Sequence, residues 1–133
     1  MPTEHESAIL MIHDYYMAFS TLQVEAIFPY YHEPSLILSP EGVFCAPKRT
    51  ALSNAFQPAM EGLRDLGFLK TEFVLRQVRS LGSATIWVTG LAVRTHQNGQ
   101  ELNRAGVTYT LRKTDDEWKI AVLVTHDADA FGE

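Results

Sequence analysis

Between residues 69 and 126 apolar and polar side chains alternate with a period of two, in four runs at about 69–79, 84–96, 101–113 and 118–126. That alternation predicts strands with one covered face. Leu81-Gly82, Asn98-Gly99 and Thr114-Asp115-Asp116-Glu117 separate the runs. Asn-Gly is a strong hairpin signal because both residues tolerate positive φ. The first half of the chain has a different period. Ile9, Ile12, Tyr16 and Phe19 recur at helical spacing, and Ala8 and Tyr15 widen the stripe. Thr3-x-x-Glu6 in front of it is a capping box, in which each side chain satisfies the other residue's backbone donor. Residues 23–31 fit a second, short helix that Pro29 perturbs. Glu33-Pro34 ends it, and residues 35–39 and 43–46 read as a hairpin across Pro40-Glu41-Gly42. A third helix starts at Thr50 as N-cap. Leu52, Phe56, Met60 and Leu63 form its apolar face, Pro58 is expected to kink it, and Gly67 to cap its end.

Turn length fixes register, and register decides which side chains share a face. Counting from Asn98-Gly99 pairs Gln97 with Gln100, Arg94 with Asn103, Ala92 with Ala105, Gly90 with Val107, Val88 with Tyr109 and Ile86 with Leu111. Counting from Leu81-Gly82 puts Leu75 beside Val88 and Phe73 beside Gly90. The last turn puts Ile120 beside Leu111, Val122 beside Tyr109, Val124 beside Val107 and His126 beside Ala105. The face carrying Phe73, Val88, Gly90, Val107 and Tyr109 is nearly all apolar and is expected to cover the helices. The other face carries Trp87, Thr89, Leu91, Val93, Thr108 and Thr110. Gly90, Ala92 and Ala105 leave volume on the covered face unless a helix presses close or a ligand enters.

No linker, repeat or low-complexity segment interrupts the 133 residues, so a single domain over 1–133 is expected. With 46% hydrophobic residues the chain can bury a core, and a net charge of −5 argues against nucleic acid or an anionic membrane as the main partner. Cys45 is the only cysteine, which leaves no intrachain disulfide and suggests a small buried hydrophobe. The polar, acidic start lacks the pattern of a signal peptide, and no run reaches the ~18 apolar residues of a membrane span. A cytoplasmic protein is the expectation. The five histidines show no zinc-type spacing, and there is neither a phosphate-cradling loop nor a nucleophile elbow. No metal and no cofactor are expected.

The element order, with Asp14-Tyr15-Tyr16-Met17-Ala18-Phe19 in the first helix and Glu117-Trp118-Lys119-Ile120 opening the last strand, resembles the nuclear transport factor 2-like superfamily. That superfamily includes SnoaL-like polyketide cyclases and ketosteroid isomerases. The resemblance covers nearly the whole chain. It implies an α+β, cystatin-like cone: a curved mixed or antiparallel sheet of about six strands wrapped over three helices from the N-terminal half. It also implies a conical pocket and a homodimer through the outer sheet face. Carried over by residue, the isomerase pattern puts its oxyanion tyrosine at Tyr15, its general base at Ser39 and its protonated aspartate at Tyr109. Serine cannot serve as that base. Two phenols can still polarise a carbonyl, but proton abstraction beside it lacks an agent.

The candidate catalytic residues are therefore Tyr15, Tyr109 and His126, the last because an imidazole titrates near neutral pH. The bland alternative for His126 is a strand-end histidine bonded locally. Asp14 would orient its ring only if it turned away from its expected outward direction. Arg94 with Asn103 offers a fork for a carboxylate or enol oxygen; the alternative is a surface arginine paired with Glu101. Tyr16, Tyr31, Ser39, Phe73, Val88, Gly90 and Val107 complete the predicted lining. The expected ligand is a small, largely apolar molecule with one oxygen function. The competing readings are a cofactor-independent isomerase, cyclase or dehydratase, and a dimeric interaction module whose cavity is filled by its own side chains.

Overall fold

The computed structural model describes residues 3–130. Helix α1 (Glu4–Phe19) opens with the capping box: the Thr3 N–H donates to Glu6 Oε1 at 3.0 Å, and the Glu6 N–H to Thr3 Oγ1 at 3.1 Å. Its buried residues are Ala8, Ile12, Tyr15, Tyr16 and Phe19. A 3-10 segment (Val24–Tyr30) stands where the short helix was expected, with Pro29 inside it. Strands β1 (Tyr31–Ser39) and β2 (Gly42–Ala46) follow. A 3-10 turn (Arg49–Ala51) leads into helix α2 (Leu52–Asp65), which runs unbroken through Pro58. Thr50 lies inside that turn rather than capping α2, whose N-cap is Ala51. Arg49 ties the turn to β1, its Nε donating to the Tyr31 carbonyl at 2.7 Å. Gly67 closes the helix with φ +77, a left-handed conformation that suits glycine.

Strands β3 (Phe68–Ser80), β4 (Thr85–His96), β5 (Glu101–Thr114) and β6 (Glu117–His126) form the predicted meander. The six strands make one mixed sheet in the order β2-β1-β6-β5-β4-β3, in which β1 runs parallel to β6 and every other neighbour pair is antiparallel. This is the α+β cone with six strands and the helices on one face. The core lies between that face and α1, α2 and the Val24–Tyr30 segment, around Ile12, Tyr15, Ile27, Tyr31, Met60, Val88, Tyr109 and Ile120.

In each of the three hairpins of the meander an irregularity separates the observed register from a uniform count. Between β4 and β5 the predicted pairs hold from Ile86–Leu111 to Arg94–Asn103. Nearer the turn Thr95 pairs with Glu101, because Leu102 is an extra residue in β5. Between β3 and β4 the Leu81–Thr85 loop is wider than two residues and Arg76 is an extra residue in β3. Phe73 therefore pairs with Ala92, and Leu75 with Gly90. The parity of Phe73 survives because the slip there is by two.

The third irregularity changes faces. Leu111 pairs with Ile120 as counted, but Thr110 pairs with Val122, so Ala121 is an extra residue in β6. A one-residue slip moves every later side chain to the other face. Tyr109 then pairs with Leu123, Val107 with Thr125, and Gly106 with His126. Leu123 and Thr125 face the helices, whereas Val122, Val124 and His126 face outward. Cys45 is exposed rather than buried. No helix among the described residues is long and apolar enough to cross a membrane.

Candidate functional site

An open cavity of about 560 Å³ lies between the inner face of the sheet and helices α1 and α2. Its size falls in the range of small-molecule pockets. Tyr15 and Tyr16 of α1 and Tyr109 of β5 form its buried end. Phe19, Phe44, Phe56, Ile37 and Leu123 make apolar walls, and Ala55 and Ala59, one helical turn apart on α2, keep that side low. Ala92, Ala105 and Val107 form the floor on the sheet. Ser39, Glu41, Val43, Arg94 and Thr125 stand toward the mouth, where Glu41 and Val43 are exposed.

The buried end is a cluster of phenols. The Tyr15 and Tyr31 hydroxyls are 2.8 Å apart, and the Tyr16 and Tyr109 hydroxyls hydrogen-bond to each other. Tyr16 stacks on Phe73, with ring centroids 5.9 Å apart and planes 13° from parallel. Burial pushes the Tyr16 phenol up to about 12, against the pull of its bond to Tyr109 and of the Arg94 charge. Burial likewise raises Tyr15, Tyr31 and Tyr109. These groups are neutral hydrogen-bond donors at any ordinary pH. Within each pair one O–H is spent on the partner, which leaves one for a ligand.

Of the three candidate catalytic residues, Tyr15 and Tyr109 line the cavity and His126 does not. His126 stands on the outer face, where Nε2 lies 2.7 Å from Thr108 Oγ1 and Nδ1 lies 2.9 Å from the Asp127 carbonyl. The expectation of an inward imidazole is thus corrected, and the cause is the extra residue Ala121. Asp14 is exposed and lines a separate surface groove with Ser7 and Lys119, away from the imidazole.

Of the predicted binding residues, Tyr16, Ser39, Arg94 and Val107 line the cavity. Tyr31 is buried behind it, bonded to Tyr15. Val88 is core. Gly90 contributes no free volume, because the Phe73 ring lies across it: a methyl at Gly90 would sit 2.7 Å from two ring carbons of Phe73 and closer still to the Val74 carbonyl oxygen. Phe73 is spent on that packing rather than on the lining. Asn103 is exposed and accepts from Arg94 NH1 at 3.3 Å. Glu101 does not pair with Arg94. Arg104 takes it, through Nε at 2.9 Å and NH2 at 2.6 Å.

The count along the strands missed Leu123 and Thr125, which only the irregularity in β6 turns inward. It also missed Glu41, the one carboxylate among the described residues lining the cavity. Ala55 and Ala59 carried a legible signal, two small residues a turn apart beside the Leu52–Phe56 stripe. Among the described residues no group of three or more His, Cys, Asp or Glu side chains is placed to hold a metal ion.

A sequence model of the family described as "NTF2-like protein (DUF6841)" matches residues 5–128. No curated protein matches the chain. Similar solved structures include an NTF-2 like protein of unknown function from Shewanella oneidensis MR-1. It has a TM-score of 0.76 and 16% identity, and the match covers 94% of this chain and 100% of that one. A domain with a cystatin-like fold from Nostoc punctiforme PCC 73102 gives 0.75 and 19%, over 95% and 78%. A ketosteroid isomerase-like protein from Erwinia carotovora atroseptica SCRI1043 gives 0.70 and 15%, over 95% and 97%. Similarity at these identities establishes the shared fold and leaves the chemistry to the site.

Proposed function

Because the chain belongs to the NTF2-like family whose model spans residues 5–128, we propose that it uses its cone to bind a small, largely apolar molecule carrying one oxygen function. The observation that carries this reading is the open cavity of about 560 Å³, apolar along its walls and ending in hydroxyl donors. Such a lining sequesters an apolar body by its area and orients it by few polar contacts. The reading of a cavity filled by its own side chains has less to support it, since that volume is open.

Binding is favoured over catalysis by what the interior lacks. Tyr16 and Tyr109 can polarise a carbonyl, as an oxyanion site does. Abstracting a proton beside that carbonyl needs a base within hydrogen-bond reach. Ser39 stands where the isomerase pattern has its base, His126 faces the other way, and Glu41 is exposed at the mouth. An isomerase or lyase would have to draw its base from Glu41 or from the substrate.

Native mass spectrometry of the purified protein tests the binding reading. We expect an added small-molecule mass, retained from the host or taken up from an apolar compound panel, and lost in Ala92→Phe. Equal uptake by wild type and Ala92→Phe would sink it. A second copy of the chain is the macromolecular partner we propose, through the outer face of β3 and β4. Val74, 39% exposed, pairs there with Leu91, and the half-buried Trp87 lies on the same face four residues along β4, which favours self-association.

A further inference from the structure

We infer that the ligand is a monocarboxylate, a small apolar acid whose head group is held by Arg94 with its body along the aromatic walls. This rests on the reading of the cavity as a ligand pocket and adds the chemistry of what enters it.

Arg94 sits on the inner face of β4, two residues beyond Ala92, and lines the cavity. Its side chain is a planar, cationic fork of five donors. A half-buried cation of that kind needs an anion or a full set of acceptors. Arg94 has neither. Its Nε is buried with no hydrogen-bond partner among the described residues. Its one bond, from NH1 to Asn103 Oδ1, is long at 3.3 Å. Arg104 claims Glu101, and among the described residues no ion pair joins Arg94 to Glu41. A guanidinium edge of Nε and a terminal nitrogen takes both oxygens of a carboxylate in parallel, and Arg94 presents it by turning its enclosed Nε toward the cavity. The free hydroxyl of the Tyr16–Tyr109 pair lies deeper in the same cavity, and the Arg94 charge is felt at Tyr16.

The rest of the lining narrows the anion. Arg94 is the one cation among the described lining residues, and the walls are Phe19, Phe44 and Phe56. One cation with a single buried, unfilled donor suits one negative charge. A phosphate monoester, with about two charges and three acceptor oxygens, asks for more donors than the site offers. The small Ala92 and Ala105 beneath the arginine leave room for the acid's first carbons.

Calorimetric titration of the full chain tests this with matched pairs: octanoate against octanol, and hydrocinnamate against hydrocinnamyl alcohol. The acids are expected to bind about tenfold or more tighter than the alcohols, a difference of about 1.4 kcal/mol. Arg94→Gln should remove that preference while leaving alcohol binding in place, which also reports an intact pocket. Arg94→Lys, which keeps the charge and loses the fork, should retain only part of it. Equal affinity for acid and alcohol in the wild type overturns the inference even if neither variant folds. So does a preference that survives in Arg94→Gln. Alcohol binding without acid preference sinks the carboxylate alone, whereas no binding of any of the four sinks the pocket reading with it.

Discussion

Gly90 and Ala105 are small residues on the same face of adjacent strands, yet enlarging them should have opposite consequences. At Gly90 a methyl would meet two Phe73 ring carbons at 2.7 Å, far inside the ~3.5–4.0 Å of ordinary carbon contact. The ring cannot retreat freely, because it stacks on Tyr16. The nearer obstacle, the Val74 carbonyl, is backbone within the paired strand and can give less. Overpacking of this kind costs about 1–3 kcal/mol. The alanine recovers about 0.4–1 kcal/mol by restricting the unfolded chain. Gly90→Ala should therefore lose about 1–2 kcal/mol, lowering the thermal midpoint by about 5 °C. At Ala105 the added carbons of a leucine enter the cavity. Full burial of three methylene equivalents would contribute about 2.4 kcal/mol, and this half-exposed position should realise about 1 kcal/mol or less. Urea and thermal unfolding measure both variants against wild type. A Gly90→Ala protein as stable as wild type would refute the packing of Phe73 across the glycine. An Ala105→Leu protein less stable than Gly90→Ala would refute an open cavity above β5.

His126→Ala should leave binding of any cavity ligand unchanged while weakening the fold by about 1 kcal/mol or less, since it removes one of the two hydrogen bonds of the Thr108 hydroxyl on the outer face and leaves the one to Thr89; a changed ligand affinity would put the imidazole back in the site. Burial raises Tyr16 from 10.0 to about 12, so the folded protein holds a proton that the unfolded chain releases first. Stability from this group is complete below pH 10 and is lost as pH rises from 10 to about 12, with Tyr15, Tyr31 and Tyr109 acting in the same direction. Ultraviolet titration should show these four phenolates appearing only with unfolding, and a smooth titration of all four in the folded protein would contradict it. Trp87→Glu should lower the solution mass measured by light scattering if the outer face joins two copies; an unchanged dimer mass would place the interface elsewhere.

Period-two alternation made the four long strands, their order and most of the inner face legible, because burying one face of a sheet demands that pattern. It could not reveal Ala121. An extra residue in a strand leaves the alternation locally plausible on both sides: Ile120, Val122 and Val124 read as one inward series, and Ala121, Leu123 and Thr125 as one outward series. Only the three-dimensional pairing of β6 with its neighbours, Leu123 beside Tyr109 of β5 and Ile37 of β1, shows where the second series turns in. Two small residues of like appearance, Gly90 and Ala105, carried the same ambiguity. What fills the space above each is decided by Phe73 reaching across from β3, a contact between residues 17 positions apart in sequence that no local pattern encodes. The consequence for function is direct. The irregularity in β6 takes the His126 imidazole out of the cavity and puts Leu123 and Thr125 in its place. The pairing of Glu101 with Arg104 then leaves Arg94 as the one cation among the described residues lining the apolar space. A site read from alternation alone is an apolar ligand pocket with His126 as a candidate acid–base group at its rim. The site that the pairing builds has neutral phenols at its closed end and an uncompensated guanidinium toward its mouth, which is chemistry for holding an acid rather than for moving a proton.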